Sequence, residues 1–436
     1  MPDSLNRRDM LRMAGLSGLG LSLAACGRGF GGGDDEPAGG TVQLNMVWWG
    51  DAKRAEKTQA ALDIFQRKHP GVTVKTEYQD SMPYKDKLAT RFAAGDPPDV
   101  MAMRMDSLRE YADRGALLDL GQHGGAVDLA GLSDNARALA AVADKTYGVP
   151  AGLNAIGFVI NKTLTEKHGV AIPEGNTWSW DDLSGFARDF TKASGGKIYG
   201  TAFEPATLAN IIVYTRQRGE DFYTEDGALG ISEATVVSWF EMVNKMRADR
   251  GFPPAGFIEN VGASADQSYL AKGSIASQII PTNNFLSYNA AAGGNLALLR
   301  IPGETQGTRR GQSVDCPHLW SIAAQSKHKD EALKLLNFLV NDVEASKATG
   351  TTRGVPPSTK VADEIKPALT PDDQVATEYL GALQKETLPR SFTYPPGSSK
   401  IASSLLSIAT EVEFKRQTPL QAAKTFLDAG RKALGK

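Results

Sequence analysis

Trp48-Trp49-Gly50-Asp51 sets two indoles beside a carboxylate within four residues. That combination suits a ligand with both apolar and hydroxylated surface: a flat ring covers C–H faces, while carboxylates, amides and guanidiniums fix hydroxyls in direction. Val42, Leu44, Met46 and Trp48 recur at period two, a strand signal, so Trp48 shares the inward phase and Trp49 points the other way. Asp51 follows the C-terminal end of that strand, the edge at which open parallel sheets hold ligands. Its rival role is to cap a following helix. Asp106 stands in the same relation to a strand over 99–103, with capping of a helix from Ser107 as its rival. Arg353 lies in a polar, Gly-flanked loop before Val355-Pro356-Pro357, and its planar five-donor group suits vicinal hydroxyls. Asn154 and Tyr394 are further polar candidates for the same work.

Motifs for bond-breaking chemistry are missing. The five histidines are His69, His123, His168, His318 and His328; none forms H-E-x-x-H or pairs with cysteine at zinc-finger spacing. Cys316 and His318 are separated by Pro317, and no further ligands cluster around them. No G-x-S-x-G elbow, Walker A loop or EF-hand loop occurs. Gly27, Gly29 and Gly32 satisfy G-x-G-x-x-G, but no strand precedes them and no apolar helix follows, so the match is chance. No catalytic residue, metal or cofactor is expected. One enzyme reading stays open: two of Asp51, Asp106 and Glu204, held roughly 5–9 Å apart, could hydrolyse a glycosidic bond.

The elements that must position these groups read as α/β. A helix after Gly50-Asp51 carries Leu62 and Phe65 on one face and stops at His69-Pro70-Gly71. Val72, Val74, Thr76 and Tyr78 alternate as a second strand, 84–94 is helical, and the 99–103 strand follows the turn Gly95-Asp96-Pro97-Pro98. This β-α-β-α-β order predicts a parallel sheet covered by helices. Further on, the spacing predicts helices over Trp180–Ala193, 208–218, 234–247 and 329–340, and strands over 273–281 and 319–323. The stretch 401–434 is helical with a break near Pro419.

The N-terminus reads as targeting. Arg7-Arg8-Asp9-Met10-Leu11-Arg12 is a twin-arginine pattern, and Leu23-Ala24-Ala25-Cys26-Gly27 resembles a bacterial lipobox. The apolar stretch between them is about a dozen residues, against the roughly 20 a spanning helix needs. The pattern predicts a signal peptide over 1–25, lipidation of Cys26, attachment to the outer face of the cytoplasmic membrane, and a Gly-rich tether over 26–40. With Cys26 lipidated, Cys316 has no disulfide partner, so core burial must hold the fold. Bases and acids nearly balance, 48 against 50, which argues against a nucleic-acid partner.

Four segments carry a family resemblance. They are 92–100 with 111–120, running Ala93-Ala94-Gly95-Asp96-Pro97-Pro98-Asp99-Val100 to Gly115-Ala116-Leu117-Leu118-Asp119-Leu120; Tyr147-Gly148-Val149-Pro150 with Gly157-Phe158-Val159-Ile160-Asn161-Lys162; Thr177-Trp178-Ser179-Trp180-Asp181-Asp182-Leu183; and 326–332 with Gly354-Val355-Pro356-Pro357. In this order they resemble the extracellular solute-binding proteins that include the maltose-binding and other sugar-binding proteins, with Ile160 where Tyr is usual and Asp182 in place of Glu. The resemblance implies a two-lobed periplasmic-binding-protein fold, with a central mixed or mostly parallel sheet in each lobe and a hinged cleft. Lobe one would take 41–149 plus 321–362, and lobe two 150–320 plus 363–436. Glu204-Pro205 is similar to a Glu-Pro that faces sugar in that family, Asn284 and Phe285 stand where an aromatic platform is often placed, and Trp320 lies at an implied crossover. The function implied is capture of a small carbohydrate, mono- or oligosaccharide, by a monomer that delivers it to the permease subunits of an ABC importer. The alternatives are a lipid-anchored glycoside hydrolase and a sugar sensor on the same fold.

Overall fold

Alternating burial along Val42–Trp49 (β1) shows why this segment is a strand: Leu44, Met46 and Trp48 are buried in one core with Leu62 and Phe65 of the helix Ala52–Lys68. This computed structural model describes residues 41–435 apart from 225, 258–263, 317 and 390–392; the expected signal peptide, Cys26 and the tether lie outside the described residues. β1 pairs in parallel with β2 (Val72–Gln79) from Val42↔Val72 to Trp49↔Gln79, and with β3 (Val100–Met103) at Met46↔Val100. A short β4 (Ala141–Val142) and β5 (Lys145–Thr146) hairpin leads to β6 (Val149–Pro150). The sheet is completed late in the chain by β10 (Leu319–Ile322), antiparallel to both β3 and β6, which gives the order β2-β1-β3-β10-β6.

A second sheet has its own cores. β7 (Ile156–Asn161) lies between β8 (Ser277–Pro281) and β9 (Leu296–Leu299) and is antiparallel to each. The first sheet mixes parallel and antiparallel pairs, as expected of this α/β fold, while both pairs of the second are antiparallel. β8 and β9 run the same way and are joined through the helix Phe285–Ala291, so they form a β-α-β unit; β7 is inserted between its two strands in the opposite direction. Phe158 and Ile160 face a core with Phe190, Trp239 and Phe240, while Val159 and Ile280 join Phe285 in a smaller one on the other side. Both sheets lie in one compact unit, Thr41–Lys436.

Local signals place most helix ends. Trp180–Ala193 opens with a reciprocal Ser179–Asp182 capping box and buries Leu183, Phe186, Ala187 and Phe190. The C-terminal stretch divides into Ser398–Glu413 and Pro419–Ala433; Pro419 is the first residue of the second helix, where its missing N–H costs nothing. Asp99 serves structure: its carboxylate accepts from the Asn45 N–H at 2.8 Å and the Ser326 hydroxyl at 2.6 Å.

Two segments join the sheets, β6 to β7 and β9 to β10, and the stretch around Val355 runs beside the first of them. Leu153 bridges Val355, and Asn154 bridges Asp315. Gly152 permits this approach, since a Cβ there would lie 2.2 Å from the Arg353 carbonyl oxygen. Among the described residues, no helix is long and apolar enough to cross a membrane.

Candidate functional site

The C-terminal end of β1 opens onto a cavity of about 170 Å³ between the two sheets' elements. Trp49, Gly50, Asp51 and Arg54 line it from one side, and Asn284, Ser287 and Tyr288 from the other. Trp48 is 1% exposed and belongs to the core, so the strand phase alone separates the two indoles. Asp51 caps the helix Ala52–Lys68, accepting the Arg54 N–H on Oδ1 at 2.7 Å. Its Oδ2 accepts the Ser287 hydroxyl at 3.2 Å. Thus Asp51 both caps and lines the cavity; its two roles share one carboxylate.

Arg54 ties the two walls together. Its Nε donates to the Thr352 carbonyl at 3.0 Å and its Nη2 to Asn284 Oδ1 at 2.9 Å. Asn284 Oδ1 also accepts from Asn283 at 3.2 Å, and Asn283 Oδ1 accepts from Asn154 at 2.9 Å, so Asn154 stands behind the cavity wall at the end of an amide chain. Gly50 makes room for this arginine. It sits at φ +145°, and a Cβ there would come within 2.7 Å of Arg54 Cδ. Gly50→Ala is therefore expected to cost about 1–3 kcal/mol and to swing Arg54 off Asn284. Thermal melting together with ligand titration checks this.

Beside the cavity, Arg104 and Asp106 form a fork-to-fork pair: Nε donates to Oδ1 at 3.1 Å and Nη2 to Oδ2 at 3.2 Å. The third arm of Arg104 donates to Ser81 at 2.8 Å, and the guanidinium lies 5.8 Å from the centre of a Trp49 ring. Burial opposes ionisation of Asp106, but Arg104 outweighs it and holds the carboxyl below the usual carboxylate range. Ser107, the residue before the helix Leu108–Asp113, makes no side-chain cap bond, and Asp106 is committed to Arg104 rather than to capping.

The remaining candidates lie elsewhere. Trp320 is 1% exposed in β10, under the Arg353 guanidinium at 4.6 Å. Arg353 is itself buried; it donates to Thr58 Oγ1 at 2.7 Å and meets His318 Nε2 at 3.0 Å, so both residues belong to the wall behind Trp49 rather than to the cavity lining. Phe285 is 1% exposed in the small core; Tyr288, three residues on, is the ring of that helix that reaches the cavity. Glu204 lines a separate cavity of about 20 Å³ with Arg247 and Glu413, and burial raises its carboxyl. Tyr394 packs on Tyr223 with ring centres 5.7 Å apart, and burial, then the charge of Asp315, raises its phenol strongly.

Arg54, Ser287 and Tyr288 escaped the sequence reading. A signal for Arg54 existed: a cation in the first turn of a helix opposes the macrodipole and so asks for a reason. Among the described residues, no group of three or more His, Cys, Asp or Glu is placed to hold a metal ion.

Comparison with known proteins agrees with this architecture. The family model described as bacterial extracellular solute-binding protein matches residues 50–345. A galactooligosaccharide-binding protein of Bacillus subtilis (strain 168) is 24% identical over 352 residues, covering 79% of this chain and 80% of its own. A periplasmic oligogalacturonide-binding protein from Yersinia enterocolitica, solved with saturated digalacturonic acid, has a TM-score of 0.79 at 25% identity, over 90% of this chain and 99% of that one. An ABC substrate-binding protein from Listeria monocytogenes, solved with cycloalternan, shares the fold with a TM-score of 0.77 at 21% identity, over 91% and 99% of the two chains.

Proposed function

The chain belongs to the bacterial extracellular solute-binding proteins, and from that membership we propose that it captures a small carbohydrate in the cavity between its two lobes and delivers it to an ABC permease. The observation that carries this reading is the cavity itself. An aromatic face, Trp49, stands beside a carboxylate, a guanidinium, an amide and a hydroxyl, contributed from both sides of the gap. The names of the relatives point to the same ligand class. A ligand touching Asp51 and Arg54 on one side and Asn284 and Ser287 on the other favours the closed arrangement by its contacts with both. The lobes in this reading follow the expected division, 41–149 plus 321–362 and 150–320 plus 363–436, with β6 and β10 kept whole in the sheet of the first.

Hydrolysis is disfavoured by the state of the three acids. A glycosidase needs a protonated acid facing a second carboxylate across the bond. Asp51 has each oxygen in a hydrogen bond, and Asp106 is held ionised by Arg104. Glu204 is the one pushed upward, and it lines the other cavity.

Thermal shift of the full chain across a panel of mono- and oligosaccharides tests the binding reading, because a ligand of the native state stabilises it by RT ln(1 + [L]/Kd). A sugar that raises the melting temperature and is recovered intact supports it. No shift from any member, or new reducing ends, overturns it. We further propose that Cys26 carries lipid after twin-arginine export. Cys26→Ser is expected to move the protein from the membrane fraction to the soluble one, and retention on membranes would discard the anchor.

A further inference from the structure

Two guanidiniums are buried beside the cavity with one carboxylate acting on both. Arg54 is 8% exposed and Arg353 4%. Their hydrogen-bond acceptors are all neutral: the Trp49 and Thr352 carbonyls and the Asn284 amide for Arg54, the Thr58 hydroxyl and the His318 ring for Arg353. Among the described residues neither is in an ion pair. Asp51 is the acid whose charge reaches both, and its oxygens are already turned to the Arg54 N–H and the Ser287 hydroxyl. Burial, then the two guanidiniums, drives the His318 imidazole down, so it adds no charge. The local sum is positive, in a place where an uncompensated ion is costly.

Arg54 is the member that opens on the cavity. Its Nη1 has as partner the Trp49 carbonyl at 3.5 Å, at the outer limit of a hydrogen bond. The cavity also meets the N-terminal ends of two long helices, Ala52–Lys68 and Ser81–Ala93, whose dipoles favour negative charge. At the second of these, Asp80 makes no side-chain cap bond.

We propose that the ligand of this cavity is a sugar acid, with its carboxylate on Arg54 and its ring against Trp49. This rests on the carbohydrate reading above and narrows it. A carboxylate oxygen can take the Nη1 that only the distant Trp49 carbonyl holds, and its single charge offsets the excess left when Asp51 is set against the buried Arg54 and Arg353. Asp51 and the exposed Asp80, both on the cavity lining, oppose the second charge that a sugar phosphate would bring.

Titration calorimetry of the full chain decides this. The probes are galacturonate, glucuronate and mannuronate with their α- or β-linked dimers, the matching neutral hexoses and their dimers, and galactose 6-phosphate. At least one acid should bind roughly 30-fold more tightly than its neutral counterpart, as a charge-assisted hydrogen bond of about 2 kcal/mol would give. Because Arg54 also borders the site of a neutral ring, the readout is the acid-to-neutral affinity ratio within each variant: Arg54→Gln should bring that ratio to about one whatever it does to overall affinity, and Arg54→Lys should restore part of it. Neutral sugars binding as tightly as the acids, or the phosphate outranking both, overturns the inference and leaves the carbohydrate reading standing. Binding of none of these probes overturns the inference, and a blank thermal-shift panel beside it removes the carbohydrate reading as well. The comparison of acids with neutral sugars on the unaltered protein stands even if both variants fold poorly.

Discussion

Trp320→Ala is expected to lower the unfolding free energy by about 3–5 kcal/mol, while Trp49→Ala costs no more than about 2 kcal/mol and instead weakens ligand binding roughly 30- to 150-fold. The two residues are of one type and both neighbour His318, with ring centres 4.8 Å and 5.0 Å away, yet they face opposite environments. Trp320 is 1% exposed, in a strand paired on both sides, and supports the Arg353 guanidinium on its ring face. Truncation leaves a large void and strips that guanidinium of its platform, a loss of both packing and cation–π attraction. Trp49 packs on Tyr84 and leaves the rest of its surface to the cavity. Removing it takes little from the fold but deletes the larger of the two aromatic faces, Trp49 and Tyr288, that line the cavity. Urea unfolding of both variants, followed by ligand titration of whatever remains folded, separates the roles. Equal losses of stability, or intact affinity in Trp49→Ala, would refute the assignment.

That contrast shows where reading from sequence stops. The alternation in 42–48 assigns Trp48 to the core and Trp49 to the other face because strand phase is local. The helix Trp180–Ala193 is equally legible, since its cap and its apolar stripe lie within the segment. Asp51 was readable for the same reason, as the residue that follows a strand. Arg353 and Trp320 were not, because their burial is decided by Thr58 and Trp48, some 300 residues away in the chain. Glu204 shows the same gap. A Glu-Pro before a helix is a local feature, but Arg247 and Glu413 arrive from the helices Glu233–Ala248 and Ser398–Glu413 and set it in a different cavity. Phe285 and Tyr288 differ only in helical phase on a seven-residue helix too short for a periodic signal. The second sheet was illegible in direction because β7 pairs with strands more than a hundred residues later, and nothing in the alternation of 156–161 states which way its partners run.

His318 makes stability fall on acidification from about pH 6.5, the ordinary imidazole value. The ring is fully buried; burial first, then the charges of Arg353 and Arg54, hold its pKa well below that value. Its geometry agrees. Nε2 lies 3.0 Å from Arg353 Nη1 and can accept that hydrogen bond only when deprotonated; the neutral ring then carries its proton on Nδ1, and a second proton would have to enter on Nε2, against the guanidinium. In the unfolded chain the ring takes up a proton near pH 6.5, so below that point the unfolded state binds more protons than the folded one. The contribution is present above about pH 6.5 and drains at up to about 1.4 kcal/mol per pH unit as pH falls, until the folded ring itself titrates. Asp106, also depressed, acts in the same direction but only below the carboxylate range near pH 3.9. Glu204, raised by burial, acts in the opposite direction, gaining stability as pH falls through its folded value. The upper part of the window therefore belongs to His318. Urea unfolding at pH 7.5, 6.5, 5.5 and 4.5, on the unaltered protein and on His318→Gln, isolates it, since glutamine keeps an acceptor for Arg353 without the titration. The slope should flatten by up to about 1.4 kcal/mol per unit in the variant. Parallel slopes would show that the ring titrates normally. In that case a third positive charge would join Arg54 and Arg353 behind Trp49 in mild acid, and the balance of charge around the cavity would have to be redrawn.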